Sequence, residues 1–289
     1  MTRAILFIGV GKMGLPMARH LHAGGHAVSV FDIAPARMAL AAEAGLTVAQ
    51  DVAPALAVAP VVFSSLPDDG ALGVVARQVA NHAQPGAVWI ETSTVSLEAS
   101  RDAAAKAAAR RIACLRAPVS GNATMAERAA LSVFASGPAD AYASVKELFT
   151  LWGPSQLYLG AADEARVAKL VVNLLIAGTS TMLAEALTFG ERAGLERGVL
   201  WDVITASAIA SPIVKAKAPL LRVDDYTPTF TVKQLLKDVG LIRGAAAEYG
   251  VATPVTDVAD AELRAALANG AGGEDYAVVI REARGRKTR

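Results

Sequence analysis

The chain has a single cysteine, Cys114, in 289 residues. That excludes an intrachain disulfide and Cys-rich zinc or iron–sulfur sites, and it fits a reducing compartment such as the cytoplasm. Aromatic residues make up only 5% of the chain, too sparse for a surface that stacks single-stranded bases. An excess of one charge is also lacking, since 28 Lys and Arg stand against 27 Asp and Glu for a formal net charge of +1. Such a balance gives no general attraction to nucleic acid or to an anionic membrane, and neither is expected as a partner. Histidine is scarce: His20, His22, His26 and His82 are the only four, and none lies in the second half. No fixed-period repeat is present. The apolar stretch 167–189 carries Lys169, Asn173 and Glu185, which a lipid-facing span would not readily hold.

What is present is apolar. The chain is 53% hydrophobic and 19% charged, ample for packed cores and far from the composition of a disordered chain. At about 150 residues per domain, the length predicts two domains. Met1-Thr2-Arg3 and the apolar run after it look briefly like a signal peptide, but Gly9, Gly11, Lys12 and Gly14 break the run, so it reads as a core strand. β-rich runs occur at 4–10, 27–31, 61–65, 87–91, 113–118 and 131–136, with helical stretches at 13–23, 35–44, 69–79 and 97–110. Several runs are apolar at nearly every position, as in a parallel sheet covered by helices on both faces. The alternation predicts a doubly wound α/β domain. After about residue 160 the pattern changes: 162–193 holds no proline and has the spacing of one long helix, and 199–206, 232–249 and 254–267 read as further helices. The expected domains are therefore 1–161, an α/β domain, and 162–289, all-helical and joined to the first by the long helix. The end, Arg284-Gly285-Arg286-Lys287-Thr288-Arg289, reads as a frayed, solvated tail.

Gly9-Val10-Gly11-Lys12-Met13-Gly14 is a GxGxxG that follows the first strand and opens a helix, the context in which this motif binds a dinucleotide. Gly9 permits the tight turn, Gly11 lets a pyrophosphate approach the backbone, and Gly14 lets helix and strand pack closely. The N–H groups of this turn and the helix dipole then favour the phosphates. A plain strand-to-helix turn is the alternative. Asp32 ends the second strand 18 residues beyond Gly14, near the ~20 typical of an acid that binds ribose hydroxyls. A carboxylate there repels a 2′-phosphate, so NAD is expected, with Arg37 as the group that would admit NADP. A helix N-cap before Pro35 is the other role open to Asp32.

Extended to Gly9-x-Gly11-x-Met13-Gly14-x-Pro16-Met17-Ala18, this opening resembles that of the β-hydroxyacid dehydrogenases, the family of 3-hydroxyisobutyrate dehydrogenase, tartronate semialdehyde reductase and the glyoxylate/succinic semialdehyde reductases. Four later blocks match in order: Leu66-Pro67, Thr92-Ser93-Thr94, Ala117-Pro118-Val119-Ser120-Gly121, and Lys169 with Asn173. Lys237-Asp238 is similar to the family's closing motif. The resemblance implies a Rossmann domain, a long interdomain helix and a helical domain that serves substrate binding and dimerisation. It implies that Leu66, Pro67, Ser93, Thr94 and Lys237 serve the cofactor, and that Ser120, Gly121 and Asn122, with Lys169 and Asn173, serve a small carboxylate-bearing substrate. Two departures stand on the substrate side. After Gly121 the family usually continues with a glycine-rich loop, where this chain has Asn122, Ala123, Met125, Ala129 and Ala130; and Val172 replaces the first of two adjacent asparagines.

Oxidising a hydroxyl requires hydride loss from carbon and proton loss from oxygen, and the protein must supply an acid/base group. His20, His22 and His26 lie on or just after the phosphate-binding helix, where solvated or packing roles are expected. Lys169 sits in the apolar stretch Val167-Ala168-Lys169-Leu170-Val171-Val172, where desolvation would lower its pKa toward neutrality. Asn173 is one helical turn on, on the same face. A lysine snorkelling from a buried helix is the alternative, and the resemblance favours catalysis. Ser120 and Gly121 offer a hydroxyl and backbone N–H groups to a carboxylate, or ordinary turn chemistry. Lys237 is a second cation beside Lys169 by resemblance, or an exposed helix lysine. Phe230 closes a cleft or packs in a core. The expected activity is NAD-dependent interconversion of a small β-hydroxy acid and its semialdehyde. The alternatives are an NADPH-dependent reductase of small aldehydes or imines, against which Asp32 and Lys169 argue, and a non-catalytic NAD-binding module. The many apolar positions on the long helix predict a homodimer or homotetramer.

Overall fold

The computed structural model describes residues 2–285, so Arg286 to Arg289 of the basic tail lie outside the described residues. The chain divides into two units, one ending at Leu170 and one beginning at Val171. The first runs β1 (Ala4–Ile8), α1 (Gly14–Ala23), β2 (Ala27–Phe31), α2 (Pro35–Glu43), β3 (Thr47–Val48), α3 (Val52–Val58), β4 (Val61–Ser64), α4 (Asp69–His82), β5 (Val88–Glu91) and α5 (Leu97–Ala108). It continues with β6 (Ala113–Arg116), β7 (Val119–Ser120), α6 (Ala123–Glu127), β8 (Ser132–Ser136), α7 (Ala139–Phe149) and β9 (Ser155–Gly160). Helix α8 (Glu164–Arg192) follows. The second unit holds the rest of α8 and α9 (Arg197–Ala206), α10 (Pro212–Leu221), α11 (Val232–Glu248), α12 (Pro254–Ala268) and α13 (Val279–Arg284).

The sheet order is β3-β2-β1-β4-β5-β6-β8-β7, with β9 on β8. The first six are parallel, and β1 lies between β2 and β4, so the strand order reverses there. This switch point is where open α/β sheets bind ligands, beyond the carboxyl ends of the strands. The apolar runs bury both faces. Ile5, Phe7, Val28, Val30, Val61, Phe63, Ile90 and Leu115 pack into one core with α1 and α7, while Leu6, Ile8, Val62, Trp89 and Cys114 pack into another with α4 and α5. Trp152 joins the first core edge-on to Phe63, and its indole N–H donates to the Met17 carbonyl at 3.0 Å. Burial pushes the Cys114 thiol up to about 12, which leaves it inert at neutral pH.

Two expectations need correction, and several elements were not expected. The run at 131–136 forms β8, but it pairs antiparallel with β6 because the intervening residues form β7 and the five-residue α6 rather than a long crossover helix. The strands β3, β7 and β9 and the helices α3, α6, α7, α10 and α13 carry no expectation above; β3 and β7 are two residues long, too short for a period. Arg284 is not part of a frayed end, because it pairs with Glu191 and Asp224, each at 2.8 Å.

The helical unit has its own core, in which Ala177, Ala184 and Leu187 of α8 meet Leu200, Trp201, Val232, Leu235, Leu263 and Val278. Helix α11 starts at a capping box of Thr231 and Gln234. By length and hydropathy alone α8 could cross a membrane. Its buried Arg166, Asn173, Ser180 and Thr181 give it the polar placement of a core helix instead.

Candidate active site

The glycine turn separates three steric roles. Gly9 has φ of +88°, and a Cβ there would lie 2.3 Å from the Ser65 carbonyl oxygen. A Cβ on Gly14 would lie 1.9 Å from the Gly9 carbonyl oxygen, so β1 and α1 meet at a distance only glycine permits. Around Gly11 nothing lies within 4 Å of such an atom. The open space falls where a pyrophosphate approaches the backbone. Met13, the N-cap of α1, makes no side-chain cap, and the first turn holds no acidic residue, so the positive helix end is left for an anion. Lys12 is exposed beside it. The residues present fit a dinucleotide.

Asp32 serves this turn directly. One carboxylate oxygen accepts from the Val10 N–H and the other from the Ala34 N–H, both at 2.9 Å. It does not cap α2, whose N-cap is Ala34. Each oxygen keeps further acceptor capacity, so holding the turn and accepting from a ribose are compatible. Arg37 lies half-buried in the first turn of α2.

Two loops at the carboxyl ends of β4 and β5 are tied together. The Ser93 hydroxyl accepts from the Leu66 N–H at 2.7 Å, and the Ser93 N–H donates to Glu91 at 2.8 Å. Ser93 is buried, Thr94 half-buried and Pro67 exposed. Ser120 is half-buried at the end of β7, and Gly121 is exposed with φ of +138°. Asn122 accepts from the Met125 N–H at 3.0 Å and so caps α6. That cap accounts locally for the polar residue standing where the family has glycine.

Lys169 is half-buried in the second turn of α8, one turn before Asn173, which is almost fully buried. The Asn173 amide donates to Asp238 at 2.7 Å, and Asp238 pairs with Lys237 at 3.1 Å. Sequence reasoning treated Asp238 only as the neighbour of Lys237; its part as the buried partner of Asn173 is added by the fold. It also missed Glu91 and Arg166, an ion pair buried to within 2% exposure on both side chains. The available signals were an acid ending a fully apolar strand, and an arginine three residues before Lys169.

The histidines are placed as expected. His20 shares a 2.9 Å hydrogen bond with the Ala126 carbonyl, and the His26 ring accepts from the Arg3 N–H. Burial, then the Arg3 charge, lowers the His26 pKa. Phe230 packs edge-on against Tyr276, the core role. No cluster of three metal-binding side chains occurs among the described residues.

A phosphate-binding turn at the switch point of a Rossmann sheet, an acid ending the second strand and a following helical unit define an NAD(P)-dependent dehydrogenase. Residues 4–160 match the family model described as the NAD binding domain of 6-phosphogluconate dehydrogenase. Residues 164–283 match the model for the NAD-binding region of NADP-dependent 3-hydroxyisobutyrate dehydrogenase. The chain is 32% identical to the NAD-dependent L-serine dehydrogenase of Pseudomonas aeruginosa, covering 96% of each. It is also 32% identical to the 3-hydroxyisobutyrate dehydrogenase of the same organism, covering 87% of this chain and 88% of that one. The solved structure of Mycobacterium tuberculosis 3-hydroxyisobutyrate dehydrogenase with L-serine is similar at a TM-score of 0.91 and 30% identity, covering 98% of this chain and all of that one. The chain belongs to the β-hydroxyacid dehydrogenase family. It is an oxidoreductase that acts on the hydroxyl group of hydroxy acids with NAD(P).

The three steric roles are separable by mutation. Gly11→Ala places its methyl in open space, so the melting temperature should hold while NADH binding weakens by about tenfold or more, ~1.4 kcal/mol. Gly14→Ala should instead destabilise the fold by about 1–3 kcal/mol through overpacking against Gly9. Calorimetric titration and thermal melts of the two variants check this.

Proposed function

We propose that the chain interconverts a small β-hydroxy acid, 3-hydroxyisobutyrate or a close analogue, with its semialdehyde, using NAD and with Lys169 as the proton-transfer group. In this reading residues 1–161 bind the cofactor, residues 162–289 provide the catalytic helix and the subunit contact, and the enzyme works in the cytoplasm. The observation that carries it is the pairing of Asn173 with the buried Asp238, one helical turn from Lys169. A buried asparagine held by a carboxylate has a fixed amide orientation, which is what a group that positions a substrate hydroxyl needs. When bound, the dinucleotide supplies the hydride acceptor. The hydroxyl proton leaves oxygen for the Lys169 amine as the carbonyl forms, and returns from the ammonium in the reverse direction. Ser120 and the Gly121 N–H hold the substrate carboxylate. Leu66, Pro67, Ser93 and Thr94, with Lys237, border the cofactor.

L-Serine is the second candidate substrate, because a relative named for it is 32% identical and a similar structure was solved with it. The Asn122 cap and its alanine-rich helix replace the glycine-rich loop on the substrate side, where such a preference would be set. Turnover of 3-hydroxyisobutyrate, L-serine and other small hydroxy acids with NAD and with NADP, read by nicotinamide absorbance, decides between them. Catalytic efficiency should be higher with NAD. A higher value with NADP would overturn the cofactor assignment and point to Arg37.

Lys169→Ala should leave NADH affinity nearly intact and lower turnover by at least ~10²-fold. Lys169→Arg should be almost as damaging, because guanidinium stays protonated and cannot act as base. Asn173→Ala should cost less. Near-normal turnover in Lys169→Arg would mean that the lysine acts only as a fixed charge.

The partner proposed for α8 is a second copy of this chain. Val171, Leu175, Met182 and Phe189 are each more than half exposed and recur at intervals of four and seven along one helix face. Light scattering should give a dimer or tetramer for the wild type, and Met182→Glu with Phe189→Glu should shift it to monomer. A wild-type monomer at micromolar concentration refutes this.

A further inference from the structure

The Glu91–Arg166 pair stands outside every role assigned above, although its contacts run through the loops that border the cofactor. Arg166 lies in the first turn of α8 and is completely buried. Its guanidinium donates to the Glu91 carboxylate and to the Ser93 carbonyl, and its Nε donates to the Ser100 hydroxyl at 3.2 Å. The other Glu91 oxygen accepts from the Ser93 N–H, and Ser93 in turn receives the Leu66 N–H. One ion pair therefore holds both the N–H and the carbonyl of Ser93 and, through the Ser93 hydroxyl, the loop after β4. Burial lowers the arginine pKa to about 9, so the side chain stays charged at neutral pH.

The same helix turn is pinned at further points on the sheet. Arg116, ending β6, pairs with Asp163 at 3.2 Å, and the Ser136 hydroxyl, ending β8, accepts from the Ala165 N–H at 3.2 Å and donates to the Ala162 carbonyl at 2.8 Å. Arg166 is thus the point at which the start of the helix carrying Lys169 meets the carboxyl end of β5 and, through Ser93, the loop after β4. A surface lysine or a hydrophobic contact would fill the space without dictating where the Ser93 carbonyl and N–H lie. A planar guanidinium with fixed donor directions does dictate it.

We propose that Glu91 and Arg166 are positioning residues for hydride transfer, holding the Leu66 and Ser93 loops in register with the helix turn that precedes Lys169. The proposal rests on the reading that these loops border the cofactor, with Ser93 and Thr94 at its nicotinamide end as the family resemblance implies. Glu91→Gln removes the charge and leaves one carbonyl acceptor where Ser93 and Arg166 each use their own oxygen, and Arg166→Lys keeps the charge but removes the fork. In the full chain, each should lower kcat by about 10- to 10²-fold, the cost of a small misplacement of reacting groups. Affinity for ADP-ribose, which reports the Gly9–Gly14 turn and Asp32, should stay within about twofold, while NADH binds several-fold more weakly. The pH profile of kcat should keep its wild-type midpoint, since the proton-transfer group is untouched.

Lowered melting temperatures with kcat and NADH affinity both within about twofold of wild type would overturn the proposal and leave the pair a structural one. Parallel loss of ADP-ribose and NADH affinity would overturn it as well, since it would show general damage. If Arg166→Lys is not recovered folded, Glu91→Gln decides alone by the same criteria. The comparison of ADP-ribose with NADH needs no turnover, so a wrong substrate or a wrong role for Lys169 is distinguished from failure of this inference.

Discussion

A guanidinium with no access to water must be matched by charge and hydrogen bonds, or its burial costs several kcal/mol. Arg166 meets that constraint with Glu91, two backbone carbonyls and Ser100. These demands set the end of β5, the course of the chain through Ser93 and the start of α8. Packing alone tolerates small slides of helix on sheet, because apolar contacts are not directional. A forked donor and a carboxylate with each oxygen held by a different donor do not tolerate them.

The two units use different physics at their candidate residues. At the phosphate end the protein works by omission: Gly9 and Gly14 bring backbone against backbone, and Gly11 leaves room. The helix end there has neither a side-chain cap nor an acid to compete with an incoming anion. Around Asn173 of α8 the means are opposite, with buried polar side chains holding one another. Asp238 is almost fully buried, balanced by Lys237 on one oxygen and by the Asn173 amide on the other. Such a network is costly if incomplete and highly orienting when complete. Histidine plays no part in it, in keeping with the structural contacts of His20 and His26.

The elements legible in the sequence are those with long or strongly periodic signals. β1, β2, β4, β5 and β6 are apolar on both faces because two cores need them so, and α1, α2, α4, α5, α8, α11 and α12 repeat at helical spacing over many residues. The direction of β8 was not legible, since strand composition does not record whether a neighbour runs parallel or antiparallel. Helix α10 carries Pro219 inside it, which weakens its local signal, and the surrounding core holds it in place through Val214, Ala218 and Leu221.

Local stereochemistry and the order of motifs were determined by the sequence itself. A glycine at positive φ, an acid at the end of the second strand and a lysine one turn before an asparagine are all short-range facts. They point to the dinucleotide turn and leave Lys169 open between catalysis and snorkelling, which the family resemblance then weighs toward catalysis. Which buried charge answers which was decided only in the tertiary structure. Glu91 and Arg166 are 75 residues apart, and Asn173 and Asp238 are 65 apart. No spacing rule links such positions. Their pairing follows from two elements being packed so closely that water is excluded, and in the absence of water each buried charge or amide must find its partner in the protein.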